Sequence, residues 1–324
     1  MSDGALYTYL KGNEYEDIQA AWDWDLIPGT TVDYQATSAS CDDIDQNGVE
    51  SFVGGASDGT IGVAAMKFTN RITRALKFQK AVFFFDDDVQ HVMVSRISNN
   101  GTAPVYSVLD QRRRKGKVMV DDVEIKNPAT INSAKHSTLW HADVGYVFNG
   151  LGPNFGLSIR TGKNTGDWAA IGTSSQPPTE VDLFTAWIQH KNLTAPLFYS
   201  IYPAVTQKEF VKKRTSVALR TIKNENSVSA VYHPGRRIAM FVFWNSSGGS
   251  CTFTPVAGKS SITVSSTAPV TVIYRIDAKE LVVSNPSQMV THAEILVRNG
   301  ATTKTIPFTF PSGGSAGASV VKKY

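Results

Sequence analysis

Almost every apolar segment of this 324-residue chain either alternates with a period of two or forms a short run of valine, isoleucine and aromatic residues. The runs LYTYL (6–10), AVFFF (81–85), VMV (118–120), VGYVF (144–148), IAMFVFW (238–244) and VTVIY (270–274) are of this kind. Successive side chains of an extended segment point to opposite faces, so such runs read as strands. Turn formers separate them: Asn99-Asn100-Gly101, Asp121-Asp122, Asn149-Gly150, Ser247-Gly248-Gly249 and Asn299-Gly300. Many short strands at this spacing predict an all-β chain of antiparallel sheets packed as sandwiches. Two short stretches, 14–22 and 208–213, offer weak helical spacing.

The length favours two domains. Strand-like LFYSIY (197–202) ends at Pro203, a polar stretch follows through Lys212-Lys213-Arg214, and strand patterning then resumes. We expect a large antiparallel β-supersandwich over residues 1–205 and a smaller C-terminal β-sandwich over 206–324. The tail SGGSAG (312–317) reads as a loop into a last strand at 319–321. With 42% hydrophobic and 19% charged residues, the composition is that of an ordinary globular protein. The net charge of +4 suits an acidic polysaccharide without requiring one, and falls short of a nucleic-acid footprint. No apolar run reaches membrane-spanning length, so no membrane insertion is expected. The first ten residues carry no basic-then-apolar leader, so the chain as written reads as cytoplasmic, or as extracellular if it is a piece of a secreted protein. The sequons at Asn100, Asn192 and Asn245 carry little weight without a leader. Cys41 and Cys251 show no zinc spacing and read as two inert thiols.

Several local patterns bear on function. In residues 11–31, Trp22 and Trp24 alternate with Asp23 and Asp25 before Pro28-Gly29. An extended backbone there puts both indoles on one face and both carboxylates on the other. The densest basic cluster is Arg112-Arg113-Arg114-Lys115-Gly116-Lys117. In a strand, Arg112 and Arg114 share a face and can meet carboxylates or sulfates, although a charged, solvated hairpin edge is the competing reading. Trp140-His141 together with Tyr146 offers an aromatic face beside an imidazole, a platform for a sugar. Trp168 follows a Gly/Asn/Thr-rich stretch (162–166) and is the most loop-like tryptophan, a candidate for stacking on a pyranose. Trp22, Trp24 and Trp244 are read as packing residues, and residues 83–85 as core. Asp86-Asp87-Asp88 reads as a solvated strand end in preference to a cation site. The run from Asp43 to Gly48 begins like an EF-hand loop but places Gly54 where a bidentate glutamate belongs, and is rejected. The six histidines are scattered singly, there is no HExxH motif, and no metal or cofactor is expected.

Taken together, these motifs resemble polysaccharide lyase family 8, the hyaluronate, chondroitin AC and xanthan lyases. The carriers are the 11–31 stretch, FVGGASDGTIGVAAM (52–66), FFFDDDV (83–89), Gln111-Arg112-Arg113, HADVGYVF (141–148) and HKNLTAPLFYSIYP (190–203). The resemblance implies a helical toroid ahead of these β-domains, carrying the asparagine, histidine, tyrosine and arginine of a β-elimination. It implies one supporting glutamate from the β-domain, for which Glu14 is the best match, Glu16 the next, and Asp23 or Asp25 further behind. Two readings follow. The favoured one is a carbohydrate-binding, lectin-like protein on the lyase scaffold, without catalysis of its own, because the chain starts ten residues before the opening motif. The alternative is the C-terminal portion of a lyase cleaving uronate-containing polysaccharides such as hyaluronan, chondroitin or xanthan. Either way the expected partner is a carbohydrate or glycoconjugate, acidic ones included, and not nucleic acid. A homo-oligomer would supply the multivalency that one weak sugar site lacks.

Overall fold

The structure is a computed structural model, and it describes residues 4–37, 47–125, 136–148, 151–217 and 219–324. Cys41 and most of the 43–48 run lie outside the described residues. The fold is all-β, with every pairing between the described strands antiparallel.

Four sheets make two sandwiches. One sheet has the order β1 (Thr31–Asp33), β6 (Val105–Arg113), β12 (Thr179–His190), β11 (Phe155–Gly166). It faces a nine-stranded sheet, ordered β2 (Val53–Ser57), β3 (Gly62–Thr69), β4 (Leu76–Phe84), β5 (Gln90–Asn99), β13 (Leu197–Tyr202), β10 (Val144–Phe148), β9 (Thr138–His141), β7 (Val118–Val120), β8 (Val123–Glu124). The second sandwich pairs a six-stranded sheet with a four-stranded one. The former runs β14 (Arg220–Asn224), β15 (Val228–His233), β16 (Ile238–Phe243), β19 (Thr271–Arg275), β20 (Glu280–Ser284), β23 (Val320–Lys323). The latter runs β17 (Gly249–Phe253), β18 (Ile262–Ser266), β21 (His292–Asn299), β22 (Thr302–Thr309).

The two sandwiches are themselves stacked, so the molecule has four layers, and the alternation along β16 shows why. Ala239, Phe241 and Phe243 point into the core of the second sandwich. Ile238, Met240 and Val242 point the other way, onto Val63, Ala81, Phe83 and Met93 of the nine-stranded sheet. Both faces are therefore dry, which is why this strand is apolar throughout where a one-sided strand would alternate. Each such side chain contributes roughly 1.5–3 kcal/mol on burial, enough to make the join between the sandwiches a core in its own right. Polar and charged pairs rim the join. Asp86 meets Arg236 at 3.1 Å, Asp87 meets His233 at 2.9 Å, and the Arg275 Nε–H donates to Asp58 Oδ2 at 2.9 Å. The acidic end of the FFFDDDV run is thus only partly a solvated strand end. Asp86 and Asp87 bind the second sandwich, and only Asp88 stays unengaged on the surface.

Three local expectations change. Residues 6–10 are not a strand; the Leu6 N–H donates to the Pro28 carbonyl, and no ladder follows. Residues 14–22 do not form a helix, because Asp17 adopts φ +51° and only a 3-10 turn, Gln19–Ala21, survives. The helix at 208–213 is real and longer. This helix, α1 (Gln207–Ser216), starts with a capping box in which Thr206 and Glu209 satisfy each other's backbone N–H groups. Its buried Phe210 fills the space above Gly145, where an added Cβ would lie 2.2 Å from the ring.

Candidate functional site

Where β6 leaves its sheet and turns into β7, the basic cluster forms one wall of a cleft of about 410 Å³. Its lining includes Lys11, Glu14, Arg112, Arg113, Arg114, Lys115, Lys117, Trp140, Asp143 and Gln207. Sequence reasoning anticipated Glu14, Arg112, Arg114 and Trp140 here; it missed Lys11, Asp143 and Gln207, which chain separation hides. A second depression, of about 480 Å³, lies by β2 and the C-terminal tail and has no charged side chain in its lining.

The cleft is strongly cationic. Arg113, Lys115 and Lys117 are exposed, and Arg114 is half-buried. Arg114 lies 3.8 Å from Asp182, and Lys117 lies 3.1 Å from Glu124. Among the described residues, Lys11 and Lys115 have no ion-pair partner.

Arg112 behaves differently from its neighbours. At 1% exposure it points into the first sandwich, where its side chain pairs with Asp110. Its Nη2 donates to Tyr15 Oη at 2.8 Å and to the Thr8 carbonyl at 3.1 Å, and Tyr15 Oη–H donates to Asp110 Oδ1 at 2.9 Å. Tyr146 Oη–H completes the network at Asp110 Oδ2, 3.3 Å away. Burial works against the guanidinium charge, but Asp110 holds it charged. Arg112 is therefore a strut that fastens residues 8–15 to β6, and its side chain is not a free sugar contact. The shared face with Arg114 is lost because the strand ends between them. Tyr146 is likewise buried at 1% exposure, and burial raises its phenol pKa well above the ordinary value.

The Trp140–His141–Tyr146 platform does not form, and strand geometry is the reason. Trp140 and His141 are consecutive in β9, so they face opposite sides of the sheet. Trp140 sits half-buried on the α1 side, with its Nε1–H donating to the Val205 carbonyl at 2.9 Å. His141 is buried on the other side, packed at a tilt against Phe184 with centroids 4.2 Å apart. Its Nδ1–H donates to the Lys117 carbonyl at 3.1 Å, and its Nε2 accepts the Lys115 N–H at 3.4 Å. Burial pushes its pKa down to about 4 against the pull of the Lys117 carbonyl, and Arg112 and Arg114 push the same way.

Glu14 is committed locally. Its Oε1 accepts the N–H groups of Leu10 (3.1 Å) and Lys11 (2.8 Å), and its Oε2 accepts that of Gly12 (3.1 Å). Partial burial raises its pKa, but these backbone N–H groups outweigh that and hold it below the ordinary carboxylate value. Trp168 lies apart from the cleft, in a 3-10 turn (Trp168–Ala170) whose start is capped by Asp167. The stretch before it is the end of β11, not a loop. Trp22 and Trp24 meet edge to face at 5.7 Å, but Trp24 is 45% exposed, so packing does not describe it. Trp244 is core, with Nε1–H donating to Ser229 Oγ at 3.0 Å.

Comparison with known proteins now decides the family. The model of the polysaccharide lyase family 8 super-sandwich domain matches residues 1–214, and that of the family's C-terminal beta-sandwich domain matches residues 220–294. The chain belongs to polysaccharide lyase family 8. It is 29% identical to chondroitinase-AC of Pedobacter heparinus over 336 aligned residues, covering all of this chain and 45% of that protein. A chondroitinase AC lyase solved in oligosaccharide complexes superposes with a TM-score of 0.84 at 26% identity, over 97% of this chain and 46% of the other. Paenibacillus xanthan lyase shares the fold with a TM-score of 0.81 at 18% identity, over 96% of this chain and 32% of that one. The family 8 chain thus spans less than half the length of these relatives, and the β-sandwich organisation is what they share with it.

Proposed function

We propose that the family 8 chain is the β-sandwich portion of a polysaccharide lyase, and that its cationic cleft holds an acidic polysaccharide of the chondroitin class. The observation that carries this reading is the convergence of Lys11, Arg113, Arg114, Lys115 and Lys117 on one cleft in a chain whose net charge is only +4. A polyanion with a carboxylate or sulfate on each repeat gains from several cations at once, and guanidinium groups add bidentate hydrogen bonds. The relatives support the same class: one is a Streptomyces coelicolor chondroitin AC lyase in complex with chondroitin sulphate. These relatives favour the lyase reading over the free-standing lectin.

The cleft is built to bind and orient. β-Elimination from a uronate needs neutralisation of the carboxylate, a base for the ring proton and an acid for the leaving oxygen. The cations meet the first need. For the other two, His141 has both ring nitrogens engaged and Glu14 is held by three backbone N–H groups. In this reading the proton-transfer groups belong to the remainder of the longer protein. The test is titration calorimetry of the chain with chondroitin sulfate and with neutral dextran at graded salt, alongside the ultraviolet absorbance of unsaturated uronate. We expect salt-sensitive binding of chondroitin sulfate alone, weakened by Arg114→Glu and Lys115→Glu, with no absorbance change. Equal affinity for dextran, or no effect of either charge reversal, refutes the assignment.

A further inference from the structure

We infer that His141 is the positioning residue of the cleft: an uncharged imidazole that clamps the Arg113–Lys117 turn from beneath and so sets where its cations stand. This rests on the reading of the cleft as an acidic-polysaccharide site. After Arg113, where β6 ends, the Arg114 N–H still donates to the Asp182 carbonyl at 2.8 Å, but no ladder reaches residues 115–117 before β7 begins at Val118. At its tip Gly116 takes φ +71°, with nothing within 4 Å of a Cβ built there, so tip packing does not fix its shape. One side chain spans the gap instead. His141 Nε2 accepts from the Lys115 N–H, and His141 Nδ1–H donates to the Lys117 carbonyl, on either side of Gly116.

The clamp is itself immobilised. His141 ends β9, opposite Val118 on β7 and Val144 on β10, and its ring lies against Phe184 of the facing sheet. The two hydrogen bonds require one tautomer, with the proton on Nδ1. A charged imidazole would lose the Lys115 bond and add a positive charge beneath a turn already carrying four. Neutrality is therefore part of the device. His141 never meets the ligand; it acts through the backbone of the cations that do. Lys115 depends on it most, having no ion pair among the described residues to hold its side chain.

The test uses the full chain, with chondroitin sulfate as probe, and two substitutions. His141→Phe keeps a ring against Phe184 and removes both hydrogen bonds; His141→Gln keeps an acceptor and a donor. We expect His141→Phe to weaken binding about tenfold and to flatten its salt dependence, as cations leave the bound arrangement, and His141→Gln to restore most of both. Equal binding by wild type and His141→Phe overturns the inference while leaving the cleft assignment intact. Failure of the wild type to bind overturns the cleft assignment instead. Hydrogen exchange in the wild type tests the clamp directly and needs no variant to fold: the Lys115 amide should be protected relative to those of Gly116 and Lys117, and equal exchange of all three overturns the inference.

Discussion

Three buried histidines make the stability of this fold sensitive to mild acid. His91 lies between Ser200 Oγ (2.9 Å) and Thr221 Oγ1 (3.1 Å), at the junction of the two sandwiches. His190 meets Ser107 Oγ at 2.8 Å. Burial pushes both down to about 3, and His141 down to about 4. In the unfolded chain each titrates near ~6.5. Below that value the unfolded state takes up protons that the folded state refuses, so stability is fully present above it and falls as the pH drops toward the folded values. At roughly 1.4 kcal/mol per pH unit, each histidine removes about 2 kcal/mol by about pH 5. The three together remove about 6 kcal/mol, a large part of a typical total of ~5–15 kcal/mol. The carboxylates held low, such as Asp58 by the Ile61 and Thr60 N–H groups and by Arg275 against its burial, act only in their own, more acidic range. Burial raises the carboxyls of Asp25, Asp33 and Asp110, whose protonation acts in the opposite sense, so the imidazole contribution is the part of the slope that histidine variants remove. Guanidinium unfolding followed by tryptophan fluorescence from about pH 6.5 to about pH 5 should show a steep loss of midpoint. His91→Gln and His190→Gln should each lower stability at neutral pH but remove about a third of the slope. A flat wild-type profile, or single variants with the full slope, would refute the reasoning.

Two further outcomes follow from packing. Asp110→Ala strands the Arg112 guanidinium in the first sandwich at 1% exposure, so a loss of about 3–5 kcal/mol is expected in chemical denaturation. Asp110→Ala with Arg112→Met should recover much of it, and no recovery would mean that the pair is not the unit described. Gly145→Ala places a methyl 2.2 Å from the Phe210 ring. It should cost about 1–3 kcal/mol and lower the melting temperature, and Phe210→Leu in the same chain should relieve part of that.

The period-two runs were enough to read an all-β chain of antiparallel sandwiches, because alternation is a local property; that the two sandwiches stack on each other was not legible in them. The motif order carried the family, and the relatives bear that out. Two of the departures share one cause. Residues 6–10 alternate as a strand should, yet the segment is tied down by Pro28 and Arg112, partners from distant parts of the chain. Arg112 looked like its basic neighbours because nothing local marks it; Asp110, two residues away, was visible, but Tyr15 and Tyr146 were not visibly adjacent. The sugar platform failed on a point the sequence did contain: consecutive strand residues face opposite ways.

The same alternation explains how one short strand builds two halves of the site. Along β9, Trp140 turns outward to the start of α1, whose Gln207 joins the cleft lining, and His141 turns inward to hold the basic turn. Gly145, opposite Trp140 in β10, clears the space in which Phe210 anchors that helix. Arg112 fixes the Thr8–Tyr15 segment that brings Lys11 and Glu14 to the rim. The buried His141 imidazole, the paired Arg112 guanidinium and the Phe210 ring thus each hold a segment that lines the cleft. Of the cations above them, Lys11 and Lys115 have no ion-pair partner among the described residues, so they would meet the proposed polyanion at least cost, whereas Arg114 and Lys117 already face Asp182 and Glu124.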